Sequence, residues 1–443
     1  MIEVDDGHQL ARAPEHTRRG VGGSPGRSLR IAWQGPLGED GGVRYAGLQL
    51  IRGLRDSGVE IDCYMTEPPE DAPESLREDG RIGIYSRPRR WEWDRWYSRD
   101  PLSAFLTGQA ANGVAQLGMA KLIAREHARR PYDVLYRYSQ IELFGVRRLI
   151  DSLPPIVVHP EVHAAGELFW HRRERALSKR AESRERRHIA RAMLMARSAR
   201  QRRDLRLVRR VVAPSNVFAS HLVKDYGIPL ERISVVPNPI DLDRYAPQSG
   251  VSANGHARTT LLFVSRLSVR KGLDLVIGLS HRLADIADRV KIEIVGDGSL
   301  WSDYRPLLQD LNPAVATYLG QLDPDPLAAV YARAGALIQP SQYEPFALTV
   351  GEALASGIPV VASDQVGATE GVDPRCCTVF AAGDLDAFEA AVRALVARIE
   401  SGEHADMGRL ARAEAERLFS PDRVTRGVLE SIKVAVNGRA RWP

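Results

Sequence analysis

Residues 341–363 read SQYEPFALTVGEALASGIPVVAS. An apolar run, Ala336–Gln339, ends just before it at Pro340, and a second run, Ile358–Ala362, closes it. Between them the spacing predicts a helix over 348–356, stopped by Gly357 with Pro359 just beyond. Strand, tight loop, helix, strand is a βαβ unit, the building block of a parallel sheet. The helix would start with the free amides of Phe346, Ala347 and Leu348. Such a terminus favours an anion, a phosphate or diphosphate above all. Glu344 lies just ahead of it and Glu352 one turn in. A carboxylate at 352 cannot hold phosphate, but it can accept hydrogen bonds from a diol such as ribose. Two acids eight residues apart are commonly plain surface charge. Here the flanking strand, the Pro-Phe turn and the glycine stop give them a place.

A second cluster lies upstream, in VSRLSVRKGLDL at 264–275. Arg266 follows a predicted strand, 260–264, and Lys271 opens the next helix. Both fall at the carboxyl end of the strand, where open α/β sheets bind ligands. Arg and Lys five residues apart can neutralise two phosphate charges without a metal. The same alternation continues around them. Strands are predicted at 291–295, 315–319, 336–339 and 358–362. Helices are predicted near 271–287, 299–310 and 325–333, and after the last strand at 385–400 and 404–418.

The first half repeats the pattern. Strands are predicted at 29–33, 59–65, 134–138, 156–158, 210–215 and 233–236. Helices fit at 43–57, 102–130, 142–151 and 216–226, and 167–206 is helical by composition. Residues 67–101 read as irregular. The stretch 247–258, PQSGVSANGHAR, lacks any large apolar residue and reads as the linker between halves. The expected organisation is a flexible tail over 1–28, a Rossmann-like unit over 29–246, a second over 259–420, and a final helix within 421–443 packing back on the first. The fold class is α/β, two doubly wound domains facing across a cleft.

The chain has 443 residues and a net charge of +5, with 44% hydrophobic and 26% charged residues. That balance fits a folded protein of two or three domains rather than a disordered one. No run reaches the ~18 apolar residues of a membrane span. Three cysteines provide neither a disulfide framework nor a zinc spacing, so a reducing cytosol is the simplest compartment. The charge is uneven. Residues 171–210 carry fifteen Arg and one Lys against Glu174, Glu182, Glu185 and Asp204, a net +12 that leaves the rest at −7.

Taken together, APSNVFASHL (213–222), VVPNPIDLDRY (235–245), Arg266 with Lys271, VGDG (295–298), YLGQLD (318–323) and the stretch at 341–363 resemble the retaining family-4 glycosyltransferases of group 1. Those enzymes have the GT-B fold, two Rossmann-like domains. The order and spacing match over roughly 205–375. The first half resembles the family more loosely, through Gly41-Gly42, YDVLYRYS (132–139) and PPIVVHPEVHAAGE (154–167).

The resemblance implies a hexosyltransferase that uses a nucleotide diphosphate sugar as co-substrate, with no cofactor and no metal. Arg266 and Lys271 would hold the diphosphate. Glu344 would hold donor-sugar hydroxyls beside the amides of Phe346, Ala347 and Leu348. Glu352 would bind the ribose, and the backbone near Leu322 would touch the base. Gly41 and Gly42 would let the first loop approach the phosphates or the acceptor. A histidine after the strand at 156–158 would contact the donor sugar. His159 and His163 are both available, and His163 in EVHA fits the family pattern better. Two departures stand out: Ala347 where the family commonly has Gly, and Gly367-Ala368 where it usually has Gly-Gly. The pairs Asp241/Asp243, Asp323/Asp325 and Asp384/Asp386 read as caps and turns.

The acceptor is open: a small molecule, a lipid-linked sugar or a glycan. The +12 segment is either a solvated face, a contact for the inner face of an anionic membrane, or a binding surface for an anionic acceptor. Nucleic acid is disfavoured because no recognised binding module accompanies the charge. Trp91, Trp93 and Trp96 are candidates for core packing under a loop or for stacking on an acceptor. The competing functions are a phosphorylase or epimerase on the same fold, and a membrane- or polyanion-binding protein without transferase activity.

Overall fold

The computed structural model describes residues 28–39, 42–91, 95, 101–247, 258–268, 270–298 and 302–438. The tail through residue 27, Gly41, Trp93, Trp96, most of the linker and the start of the expected helix at 299–310 lie outside the described residues.

Two parallel sheets organise the chain. The first contains β1 (Arg30–Gln34), β2 (Glu60–Met65), β3 (Ile82–Ser86), β4 (Val134–Tyr138), β5 (Ile156–His159), β6 (Arg210–Ala213) and β7 (Ile233–Val235). Their order is β3-β2-β1-β4-β5-β6-β7. The second contains β8 (Thr259–Val264), β9 (Val290–Val295), β10 (Ala316–Gly320), β11 (Ala336–Gln339), β12 (Val360–Ser363) and β13 (Cys377–Phe380), in the order β10-β9-β8-β11-β12-β13. Every pairing is parallel. Strands buried on both faces read as continuous apolar runs, and β1, β4, β5, β11 and β12 are buried throughout. In each sheet the chain reverses its direction of winding between two adjacent strands, β1 and β4 in the first, β8 and β11 in the second. Open α/β sheets bind ligands at that switch point, beyond the carboxyl ends of the strands.

Two strands escaped the reading of the sequence. β3 lies within the stretch expected to be irregular, and β13 lies beyond the last expected strand. Both are edge strands, and β3 is only partly buried, so neither needs a long apolar run. The helix expected at 142–151 is a run of 3₁₀ turns, Phe144–Ser152. Of the helix expected at 299–310, the described part is a 3₁₀ segment, Arg305–Asp310. The basic stretch forms three helices, Ala164–Arg173, Arg175–Ala181 and Arg184–Asp204. They touch both halves. Trp170, Leu177 and Ala181 pack on the core beneath the second sheet.

The last helix, Pro421–Asn437, returns to the first half. Val424, Val428, Ile432 and Ala435 join the cluster that contains Ile31, Trp33 and Leu50. Other ties span the halves. Ser215 donates its hydroxyl to the Pro345 carbonyl at 2.6 Å, and Glu370 accepts from the Asn216 and Val217 amides at 2.8 and 2.7 Å. These contacts set the carboxyl edges of the two sheets against each other.

Candidate active site

A cavity of about 330 Å³ opens at the switch point of the second sheet. Arg266 and Lys271 line it from the loop after β8, and Glu344 from the loop after β11. Ala347, Leu348 and Thr349 contribute the start of the helix Leu348–Ala355, and Glu352 lies one turn further. Leu322 lines the same space, and Gly42 reaches it from the first half, at the head of the helix Gly42–Asp56. Residues scattered over more than 300 positions of sequence thus face one another. Gly42 has φ +57° and nothing where a Cβ would stand, so at this point the first half meets the cavity with bare backbone, beside Val43 and Tyr245.

Two local features hold the charged groups. Gly272 turns the chain at φ +76°, and a Cβ there would meet the Pro340 carbonyl at 2.2 Å. Only glycine lets the Lys271 loop lie this close to the end of β11. Lys271 then pairs directly with Glu344. Burial draws the ammonium down to about 8, although Glu344 opposes the shift. Burial alone would raise the Glu344 carboxyl, but the charges of Lys271 and Arg270 hold it below the usual range. At neutral pH the pair is therefore ionised, with Lys271 close to its limit.

Glu352 is different. It is buried without a cation in contact, and burial lifts its carboxyl to about 7 while hydrogen bonds from Tyr331 and Tyr245 oppose the rise. The Tyr331 hydroxyl donates to it at 2.9 Å. Ala347 adopts φ +79°, a conformation that favours glycine, so the departure noted at this position carries backbone strain. Phe346, expected among the donor contacts, does not line the cavity. Its ring is buried against Phe419 at 5.4 Å.

Both histidines lie apart from the cavity lining. His163 is buried at the junction, with Nδ1 2.5 Å from the Tyr343 hydroxyl and Nε2 2.6 Å from Asp225. Both ring nitrogens are occupied, so in this arrangement His163 is a strut between the halves, not a group facing the sugar as expected. His159 ends β5, with Nδ1 2.8 Å from the Tyr136 hydroxyl. Burial lowers it to about 3, which keeps the ring neutral. Two of the aspartate pairs supply a turn or cap, Asp241 accepting from the Arg244 amide and Asp384 from the Ala387 amide, whereas Asp323 precedes the helix Pro324–Ala332 without a side-chain cap bond. Among the described residues no group of three or more His, Cys, Asp or Glu is arranged to hold a metal ion. Trp91 packs on the helix Pro101–Arg129, its indole donating to Thr107 at 3.0 Å.

Arg270 went unnoticed in the sequence. It is buried at φ +73°, its amide bonded to Glu174 and its guanidinium donating to the Tyr343 carbonyl at 2.7 Å. Glu167 and Glu344 lie 3.4 and 3.8 Å away. It fixes the loop between Arg266 and Lys271 against the basic helices. Only its place beside Lys271 could have signalled it.

Two further spaces adjoin. One of about 220 Å³ reaches Arg266 and is bounded by Met193 and Arg197 of the helix Arg184–Asp204. Those two residues also border a cleft of about 950 Å³ between that helix and the helix Pro101–Arg129. The three spaces thus lie side by side, with Arg266 bordering the first two and Met193 and Arg197 the last two.

Comparison with known proteins agrees with this architecture. Residues 258–398 match the model of the group 1 glycosyl transferases, and residues 40–244 that of glycosyltransferase family 4. Mannosylfructose-phosphate synthase of Agrobacterium fabrum is 24% identical over 93% of this chain and 90% of its own. D-inositol 3-phosphate glycosyltransferase of Geodermatophilus obscurus is 34% identical, over 43% of this chain and 46% of its own, so the match spans about half of that relative. Among solved structures, sucrose-phosphate synthase from Thermosynechococcus elongatus superposes with a TM-score of 0.66 at 18% identity, over 91% of this chain and 98% of its own. Anabaena HepE, in complex with UDP-glucose, gives 0.61 at 18% identity, over 91% and 99%.

Proposed function

The chain belongs to the family-4 glycosyltransferases with the GT-B fold, and on that premise we propose that it moves a sugar from a nucleoside diphosphate sugar to an acceptor hydroxyl, with retention at the anomeric carbon. The observation that carries this reading is the cavity that gathers Arg266, Lys271, Glu344 and Glu352 at a helix start, roofed by Gly42.

Each group has a task. The diphosphate lies between Arg266, Lys271 and the first amides of the helix Leu348–Ala355. Lys271 carries three donors, so it can serve a phosphate oxygen without leaving Glu344. Glu344 accepts from sugar hydroxyls. Glu352, ionised and steadied by Tyr331, accepts from the ribose. As the bond between the anomeric carbon and the phosphate oxygen breaks, negative charge grows on the diphosphate and positive charge on the sugar. Arg266 and Lys271 are already in place for that charge; removing one such contact typically costs about 3 kcal/mol of transition-state stabilisation. The acceptor oxygen attacks from the face the diphosphate leaves, and its proton passes to the departing phosphate oxygen. In this reading the two cations take the part a metal plays elsewhere, and chelation leaves the rate unchanged.

The acceptor side is the first half, along the cleft of about 950 Å³. No helix among the described residues is long and apolar enough to cross a membrane. The three cysteines are all buried and free, which supports a reducing, cytosolic setting. The reading is tested by a thermal-shift panel of nucleoside diphosphates and their sugars, since a ligand of the folded state adds about 2.7 kcal/mol of stability at a hundred times its Kd and so raises the transition temperature. The donor so identified is then turned over and the product anomer read by NMR. An α-linked donor should give an α-linked product; a β-linked product would exclude the front-face mechanism.

A further inference from the structure

The basic segment carries four acidic residues, and the structure shows where three of them go. Glu174 accepts from the Arg270 amide and from the Tyr304 hydroxyl, all at 3.1 Å. Glu182 accepts from the Asp303 amide at 3.1 Å, and Asp204 from the Leu143 amide at 2.8 Å. These carboxylates are committed to backbone amides elsewhere in the chain. On another face of the same helices, a pocket of about 330 Å³ is lined by Arg172, Arg175, Arg187 and Arg191 with His171 and His188, and no carboxylate borders it.

Among the described residues, the side chains of Arg172, Arg175 and Arg191 make no ion pair or hydrogen bond. Arg187 is held in place, donating to the Glu182 carbonyl at 2.5 Å, and His171 Nε2 lies 3.3 Å from the Arg187 carbonyl. Arg187 and Arg191 lie one turn apart and share a helix face. Four like charges around one small space repel each other unless an anion joins them. Guanidinium forks match the oxygens of a phosphate in pairs.

We propose that this pocket binds the phosphate group of a second ligand, distinct from the nucleotide donor. The donor's diphosphate has its own cations in Arg266 and Lys271, so a second phosphate site belongs to another molecule. Its position points to the acceptor. His171 also lines the cavity of about 220 Å³ that reaches Arg266, and His188 also lines the cleft of about 950 Å³. A ligand anchored by phosphate at Arg172 and Arg191 would therefore lie beside the cavity that reaches Arg266. Calling that ligand the acceptor rests on the transferase reading; the anion site itself does not. The phosphate can belong to a soluble phosphorylated sugar or to an anionic lipid headgroup.

The test uses the full chain. Glucose 6-phosphate is titrated by calorimetry against glucose as control, and vesicles containing phosphatidylglycerol are compared by co-sedimentation with pure phosphatidylcholine. Each is repeated with R175Q/R191Q and with R173Q/R180Q, which removes the same charge outside the pocket. UDP, GDP and ADP are titrated separately as a readout of the donor site. The expected result is binding of one phosphate probe that weakens at least ten-fold in R175Q/R191Q and not in R173Q/R180Q, with nucleotide binding and the unfolding transition unchanged. Glucose 6-phosphate responding identifies a soluble source, and the vesicles responding a lipid. No binding of either probe overturns the proposal, as does equal weakening in both variants. Phosphate binding without any nucleotide binding would keep the anion site and overturn the transferase reading.

Discussion

Lys271 and Glu352 make opposite demands on pH. Lys271 must be charged to meet a diphosphate, and burial has brought it down to about 8; that charge is present below 8 and lost above it. Glu352 must be ionised to accept from ribose, and burial has brought it up to about 7; that charge is present above 7 and lost below it. The free enzyme's kcat/KM should therefore follow a bell with limbs near 7 and 8. Glu352→Gln should lower the maximum and flatten the acid limb while leaving the alkaline one. An acid limb that persists in this variant would remove Glu352 from the role. Ala347 offers a stability test. Its φ of +79° costs a non-glycine residue about 1 kcal/mol or more. Ala347→Gly should stabilise the protein by about 1 kcal/mol, after allowing for the greater freedom of glycine in the unfolded chain. Chemical denaturation reads this as a higher midpoint; a lower one would mean that the Ala347 methyl packs usefully. Glu344, Glu352, Arg266 and Lys271 were legible because each sits at a fixed offset from a strand end or a helix start. Arg270 was not, because its importance lies in burial and a left-handed backbone, which no residue type announces. His163 could not be distinguished from His159 by spacing. What separates them is Asp225, on another helix, and Tyr343, in the other half.

Strands and helices were legible where they bury a full face. β1, β4 and β11 read as apolar runs, and the helix Asn216–Tyr226 announces its end through Gly227 at φ +70°. β3 is an edge strand and only partly buried, so its sequence, IGIYS, lies among charged and proline-rich neighbours without standing out. The run Phe144–Ser152 has the apolar spacing of a helix but winds as 3₁₀ turns, because the pattern fixes a face and not a hydrogen-bond register. The helix Pro421–Asn437 follows the second sheet in sequence yet completes the core of the first. Ile432 is fully buried there, in the cluster with Ile31 and Trp33. Ile432→Ala should cost about 3 kcal/mol. Hydrogen exchange should show that loss at the amides of β1, some 400 positions away. Loss confined to the second sheet would contradict this packing.

In the whole molecule, the two sheets present their carboxyl ends to one another, and the chemistry gathers where they meet. The basic helices serve this junction from both sides. Glu174 braces the loop of Arg270, Leu177 packs on the second core, and the arginines left over line a pocket next to the cavity that reaches Arg266. The account depends most on the cavity between the halves being a nucleoside diphosphate site built on Lys271 and Arg266. Titration calorimetry of UDP, GDP and ADP against the full chain and against Lys271→Ala tests it directly. The account predicts that one nucleotide binds the natural protein and loses about 3 kcal/mol, more than a hundred-fold in Kd, in the variant, with the unfolding transition retained. Equal affinity in both proteins, or no binding of any nucleotide to the natural chain, would contradict it.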